Sequence, residues 1–229
     1  MKIFYIAPCR TEFPSMAASS IHMMKMCEAY AKLGHDITLI ASFNNATEDE
    51  ILRAYGIKSK FRIKQIKISK AKVGNISYAM KTVSYVRRHQ PDIVLGRSVT
   101  ALSMLCLSRC KTTIDIHGPI WEFNKLDYLL FNRTLSSKYL NKVTVNSQAL
   151  KDMYIEKGLY RANDIVVAHN GSDIFYIDTN YSRLKVDFSK DRLNVGYFGS
   201  LYSGRGVELI VRLAKNNDDM DFHFFGGSY

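Results

Sequence analysis

Short apolar runs alternate with longer stretches of helical spacing along the whole chain. Lys2 to Ala7 and Asp36 to Ala41 read as buried strands, and between them a loop, Pro8 to Ser19, leads into a helix from Ser20 to Leu33. Met23, Met24, Cys27, Tyr30 and Ala31 fall on its apolar side, where methionine suits core filling, and Gly34 is placed to end it. Thr47 to Tyr55 is a short helix: Thr47 and Glu50 have capping-box spacing, and Gly56 sits just past its end. From Phe61 to Ile68 apolar residues alternate with basic ones, the mark of an edge strand or a strand with one wet face. Asn75 to His89 is helical and stopped by Pro91. Asp92 to Leu95 is a strand, Val99 to Leu107 a helix, and Thr112 to Ile116 a strand running into His117-Gly118-Pro119. Trp121 to Leu140 reads as largely helical, Val143 to Asn146 as a strand, and Ser147 caps a helix ending at Gly158. Asp164 to Ala168 is the last strand of this half, and Tyr176 to Asp191 is polar and aperiodic. A fresh strand, Leu193 to Phe198, is followed by a glycine- and serine-rich turn from Gly199 to Gly206. A helix from Val207 to Lys215 and a strand from Phe222 to Phe225 complete the pattern.

Strands alternating with helices predict an α/β chain built on a doubly wound, Rossmann-like parallel sheet. The expected division is one domain over residues 1–175, a linker over 176–191, and an incomplete second Rossmann-like domain over 192–229. The first loop reads Ala17-Ala18-Ser19-Ser20-Ile21-His22, so the glycine fingerprint that a dinucleotide-dependent oxidoreductase needs is missing. No Gly-x-Ser-x-Gly elbow, P-loop or His-Glu-x-x-His is present, which removes the support for hydrolase, kinase and zinc-protease classes.

The 229 residues are 47% hydrophobic and 23% charged, an ordinary balance for a globular α/β protein. No window is apolar for the length of a membrane span and the first residues lack a signal-peptide layout, so a cytoplasmic address is expected. Cys9, Cys27, Cys106 and Cys110 have no zinc-ribbon spacing; Cys106 and Cys110, one helical turn apart, read as free thiols rather than shared ligands.

Charge changes the picture more than composition does. The net charge is +11, and eleven basic residues with no acidic one lie between Ile51 and Pro91. Outside that window the remaining 21 Lys and Arg balance the 21 Asp and Glu. Lys58, Lys60, Arg62, Lys64, Lys67, Lys70 and Lys72 carry most of this patch, with Tyr55, Phe61, Tyr78 and Tyr85 interleaved. It suits an anionic membrane surface or, equally, a plainly solvated strand edge. Nucleic acid is not expected, since no recognition helix or RNA-binding signature accompanies the charge.

Ligands of open parallel sheets bind beyond the carboxyl ends of the strands, so polar residues directly after strands are the candidates for chemistry. His117 is the best placed of the histidines, with Gly118 next to it to let backbone approach closely. It either hydrogen-bonds a substrate or caps the next helix. Arg97 either meets an acidic acceptor group or forms a salt bridge. Arg205, in the Gly199–Gly206 turn, is a fixed cation beside free backbone N–H groups and a helix start, which suits a diphosphate; a solvated arginine is the other reading. His22, His35, His89, His169 and His223 show no metal spacing and read as structural.

Taken in order, Val143-Thr-Val-Asn-Ser-Gln through Gly158, then Asp164-Ile-Val-Val-Ala-His-Asn-Gly-Ser-Asp, then Leu193-Asn-Val-Gly-Tyr-Phe-Gly-Ser through Gly227, resemble family 4 retaining glycosyltransferases of the GT-B fold. Met1-Lys-Ile-Phe-Tyr-Ile-Ala-Pro, the helix ending in Leu33-Gly-His-Asp, and Ile114-Asp-Ile-His-Gly-Pro-Ile-Trp agree with it, so the resemblance covers essentially the whole chain. It implies transfer of a sugar from a nucleotide-sugar donor to a glycan or lipid-linked acceptor, with retention and without a metal or other cofactor. By the same resemblance His117 stands beside the donor sugar as the catalytic-site residue, and Arg205, Gly199 and Ser200 hold the diphosphate. Ser19, Ser20, Arg97, Gly118 and Asn170 line the acceptor cleft, and the basic patch docks on the inner face of the plasma membrane. Capsule, O-antigen and lipopolysaccharide synthesis are the implied settings. The chain departs from the family's pattern at Ala17-Ala18-Ser19, where two glycines are usual, at His169, where proline is usual, and at Ser200, where arginine is common. The family's paired glutamates, which hold the ribose and the donor sugar, are expected beyond Tyr229, so these residues alone are expected to transfer poorly. The competing expectation is a non-catalytic half-enzyme, a membrane- or partner-binding module completed by another chain.

Overall fold

Strand Lys2–Ile6 (β1) is apolar on both faces: Phe4 and Ile6 turn to one side, Ile3 and Tyr5 to the other, and all four are buried. A strand of that kind belongs in the middle of a covered sheet. The computed structural model, which describes residues 1–42, 45–68, 74–122, 124–160, 163–171 and 188–227, places it there. Around it run α1 (Ala18–Lys32), β2 (Asp36–Ser42), α2 (Glu48–Ala54), β3 (Arg62–Ile66), α3 (Gly74–His89), β4 (Ile93–Gly96) and α4 (Val99–Leu107). Then come β5 (Thr112–Ile116), a 3-10 turn (Ile120–Glu122), α5 (Lys125–Thr134), β6 (Leu140–Val145), α6 (Gln148–Glu156) and β7 (Ile165–Val167). The strands form one parallel sheet in the order β3-β2-β1-β4-β5-β6-β7. The chain winds outward from β1 to β3 and returns to β4, so the winding reverses between β1 and β4.

Two cores follow from the pleat. Met23, Met24 and Cys27 of α1 and Ile51 and Leu52 of α2 cover one face, and the methionines are fully buried as core filler. Tyr78 and Val86 of α3, Leu102 and Leu105 of α4, Phe131 of α5 and Tyr154 of α6 cover the other. The capping box forms: the Thr47 side chain accepts from the Glu50 N–H, and the Glu50 carboxylate accepts from the Thr47 N–H at 2.8 Å. Phe61 is buried and β3 is an edge strand, with Arg62 and Lys64 turned to water. All four cysteines are free thiols, Cys27 and Cys106 buried, Cys9 and Cys110 half-buried.

One stretch differs from the sequence reading. Trp121 to Leu140 is not a long helix: α5 ends at Thr134, and Leu140 already belongs to β6. The Thr134 hydroxyl donates to the Phe131 carbonyl at 2.6 Å, a local bond that competes with continuing the helix.

By its internal packing the chain divides into two compact units, Met1–Ser172 and Asp173–Tyr229. The second contains β8 (Leu193–Phe198), α7 (Val207–Lys215) and β9 (Met220–Phe225), with β8 and β9 paired in parallel. Gly199 and Gly226, just after these two strands, pass so closely that a Cβ on Gly226 would overlap the Gly199 carbonyl. Most of residues 176–191, read as a linker, lie outside the described residues.

Candidate active site

The strand ends beside the reversal of winding are where a doubly wound sheet offers room for a ligand. Gly96 closes β4 with φ +139°, and a side chain there would overlap the Ile6 backbone. That contact draws the chain after β4 against β1: the Arg97 N–H donates to the Ile6 carbonyl at 2.9 Å, with Ser98 N–H at 3.3 Å. Arg97 is thereby fixed at the mouth of a cavity of about 280 Å³, lined also by Cys9, Asn75, Thr100, Asp115, His117 and Asp127. Its guanidinium forms no ion pair among the described residues.

In β5, Ile114 and Ile116 point into one core, which sends Thr113 and Asp115 to the opposite face. Asp115 accepts a hydrogen bond from the Thr144 hydroxyl on β6 at 2.9 Å through Oδ1, and its Oδ2 lies 3.0 Å from Nε2 of His117. Burial raises the Asp115 carboxyl, but the His117 hydrogen bond and charge, Thr144 and Arg97 together outweigh it and leave it below its ordinary range. His117 therefore does not cap a helix; it is held beside a carboxylate. The turn that follows is pinned by Tyr154, whose hydroxyl receives the Ile120 N–H at 3.0 Å and donates to the Gly118 carbonyl at 3.2 Å. Burial pushes that hydroxyl up to about 12. Tyr78 does the same for the end of β1, its hydroxyl lying 2.9 Å from the Ala7 carbonyl and 3.0 Å from that of Ile40.

His22 of α1 lies beside the Asp115–His117 pair. Its ring packs edge-on against His117, centroids 5.0 Å apart, and its Nδ1 is buried without a hydrogen-bond partner. Burial, the main cause, pushes its pKa down; Asp115 works against this, and His117 and Arg97 reinforce it. One signal was available in the sequence: Asp115 is a carboxylate inside an apolar strand, which calls for a partner. Nothing local pointed to His22 as that neighbour.

The remaining candidates are spread more widely. Ser19 is exposed on the first turn of α1, whereas Ser20 is 1% exposed and donates to the Glu12 carbonyl at 3.1 Å, so Ser20 does not line a cleft. Asn170 is exposed after β7.

In the second unit, the Arg205 Nε donates to the Tyr202 hydroxyl at 2.7 Å, with the guanidinium 5.0 Å from the centre of that ring. The Gly199 N–H is taken by the Phe225 carbonyl at 3.0 Å, so it is not a free phosphate donor as the turn suggested. The Ser200 carbonyl accepts from Tyr197. At the start of α7 the Glu208 carboxylate, held low by its own backbone N–H and by Ser203, already occupies the anion position.

The basic patch is less bare than its sequence implies. Lys58, Lys60, Arg62, Lys64 and Lys67 are exposed. Arg62 pairs with Asp36, Lys60 with Asp49 at 3.4 Å, and Lys64 lies over the Tyr85 ring. The neutralising acids come from outside the basic segment, a fact invisible in a linear count. Lys70 and Lys72 lie outside the described residues. No helix among the described residues is long and apolar enough to cross a membrane.

Solved structures share this architecture. The lipopolysaccharide outer core galactosyltransferase WaaB aligns with TM-score 0.59 and 12% identity, over 98% of this chain and 68% of its own. S. aureus TarM, in a complex with UDP, fondaparinux and an α-GlcNAc-glycerol, aligns with TM-score 0.62 and 9% identity over 100% and 73%. The UDP-GlcNAc 2-epimerase of Methanocaldococcus jannaschii aligns with TM-score 0.59 and 12% identity over 98% and 65%. The chain thus spans about two thirds of the length of these proteins, and at such identities the likeness is one of fold, here GT-B. No curated protein matches the sequence significantly. The sequence profile of Glycosyltransferase Family 4 matches residues 19–174, which include α1, Arg97, Asp115 and His117, and the chain belongs to that family.

Proposed function

We propose that this glycosyltransferase moves a sugar from a nucleotide-sugar donor to a glycan or lipid-linked acceptor of a bacterial surface, retaining the anomeric configuration. The observation that carries the reading is the cluster of Arg97, Asp115 and His117 at the ends of β4 and β5, inside the family-matched residues. A carboxylate that fixes an imidazole at the edge of a cavity gives a directed hydrogen-bonding group for a sugar hydroxyl. In the transfer the bond from the anomeric carbon to the diphosphate oxygen breaks, and the acceptor oxygen takes its place on the same face as its proton leaves. Charge grows on the departing diphosphate, and Arg205, released from Tyr202, is the cation assigned to it. In this scheme the released Arg205 guanidinium does the neutralising.

The acceptor side is assigned to the Arg97 cavity, whose unpaired guanidinium suits an acceptor bearing a phosphate or carboxylate. The exposed lysines around β3 are assigned to the inner face of the plasma membrane. The likeness to WaaB, a lipopolysaccharide outer core galactosyltransferase, is in keeping with a surface-glycan acceptor.

The protein as its cell makes it should be incubated with a panel of UDP-, GDP- and ADP-sugars and lipid-linked acceptors, and the product's anomeric configuration read by NMR. A labelled, retained product that disappears with His117→Ala supports the reading. Neither transfer nor donor hydrolysis across the panel would sink it. For the membrane surface, flotation with anionic and neutral vesicles should show salt-sensitive binding to the anionic ones alone, weakened by K64E/K67E. Equal binding to both kinds would remove that assignment.

A further inference from the structure

Two imidazoles and a carboxylate meet on the α1 side of β5. One ligand-capable atom each from His22, Asp115 and His117 lie within 4.8 Å of one another. Around a tetrahedral zinc, ligand atoms at about 2.0–2.1 Å from the ion stand roughly 3.4 Å apart, so small side-chain rotations bring the three into range. The donor set is that of the zinc class, borderline ligands with nitrogen in the majority, and not the all-oxygen set of magnesium or calcium.

Three independent features prepare these residues to bind. The Thr144 hydroxyl fixes Asp115 through Oδ1 and leaves Oδ2 to face His117, the arrangement by which ligating carboxylates are usually oriented. His22 has a ring nitrogen buried without a partner. The cavity beside Asp115 and His117 leaves room for a water or a substrate oxygen at the fourth position. Arg97 opposes a cation, and its charge sets the upper limit on affinity.

We propose that His22, Asp115 and His117 form a binding site for one divalent ion of the zinc class, and that its occupancy withdraws His117 from substrate and inhibits transfer. The ion would take the place of the proton between His117 Nε2 and Asp115 Oδ2, and the neutral ring would then carry its one N–H on Nδ1. The inhibitory half rests on the proposed place of His117 at the donor sugar; the binding half does not.

The test uses the tag-free, chelator-stripped protein titrated with cobalt(II), followed by visible absorption and thermal unfolding. One equivalent should give the intense bands of a tetrahedral cobalt centre, zinc should displace it, and magnesium should have no effect. His22→Ala and Asp115→Asn should each weaken binding at least tenfold, while Arg97→Gln should tighten it, a gain that misfolding cannot produce. Circular dichroism checks that the variants fold. Absent tetrahedral bands in the wild type, or bands unchanged by His22→Ala, would overturn the site whatever the transferase assay gives. Tight zinc binding with an unchanged transfer rate would overturn the inhibition and the place of His117, and leave the metal site standing.

Discussion

The β4–α4 and β8–α7 junctions are written in the same grammar of strand, glycine, cation and helix, and they differ in what surrounds them. At the first, Gly96 lets the chain close on β1, Arg97 is held by a backbone bond to Ile6, and α4 buries Ala101, Leu102 and Leu105 completely. At the second, Gly199 pairs with β9, Arg205 rests on Tyr202, and α7 buries nothing: Leu209 is 53% exposed and Leu213 46%. The more regular apolar face belongs to α7, yet the core belongs to α4. A pattern of side chains therefore specifies an element, while burial is decided by how many layers close over it.

The sharpest way to test that contrast is a matched pair of leucines. Leu102→Ala should cost about 2–5 kcal/mol, the range for a fully buried leucine. Leu209→Ala should stay within about 0.5 kcal/mol, as for an exposed position. Denaturant melts of the two variants give the comparison directly. Equal losses would mean that α7 is covered in solution and that the two junctions are more alike than they look.

The second pair tests the proposed catalytic roles. His117→Ala and Arg205→Ala should each lower the transfer rate by about 10²–10³-fold, the scale for losing one group aimed at developing charge. His117→Ala should act mainly on kcat and should also lower the melting temperature, because Asp115 loses the partner that offsets its burial. Arg205 must leave Tyr202 to act, so Tyr202→Phe, which frees the Nε donor, should not lower the rate. A large loss with Tyr202→Phe would show that the parked arrangement is the working one.

Two glutamates make the third pair. Burial works against the Glu28 carboxylate, but the N–H groups of Lys58 and Ser59 and the Lys25 ammonium outweigh it and hold it low. Glu28→Ala strands two backbone donors and should cost about 2–3 kcal/mol. Glu208, fully solvated at the start of α7, is also held low by hydrogen bonds, but Glu208→Ala should leave the melt unchanged. If the α7 turn receives a diphosphate, removing the Glu208 carboxylate should strengthen nucleotide binding by relieving competition for the same N–H groups.

How much of this was legible follows the same division between pattern and environment. The α4 bounds, the Thr47 capping box, the Ser147 cap and the β8–α7 unit were readable because each rests on residues within one turn of each other. The end of α5 was not, because no glycine or proline marks it, only a threonine bonding back to Phe131. Half of the candidate site was readable: Arg97 and His117 follow strands, and that placement is a property of the fold class. His22 was not, since a histidine on a helix bordering a methionine-rich face looks like packing until the sheet brings Asp115 against it. The acids that pair with the basic segment were not legible in it, because Asp36 lies on β2 and Asp49 on α2.

His22 also supplies the smallest effect, in the pH dependence of stability. Its folded pKa lies below the unfolded value of about 6.5, so the unfolded chain binds the proton more readily. Stability from a neutral His22 is then complete above pH about 6.5 and is lost as the pH falls through the folded value. Asp115, also depressed, acts lower: its contribution is complete above about pH 4 and disappears only on further acidification. Melting temperature should therefore fall in two steps on acidification, and His22→Leu should erase the upper step while leaving the lower. Among the described residues the second unit has no counterpart to this half-buried pair, so its unfolding should not share the upper step. An upper step that survives His22→Leu would place the titrating group elsewhere, and the claim that burial keeps His22 neutral would fail.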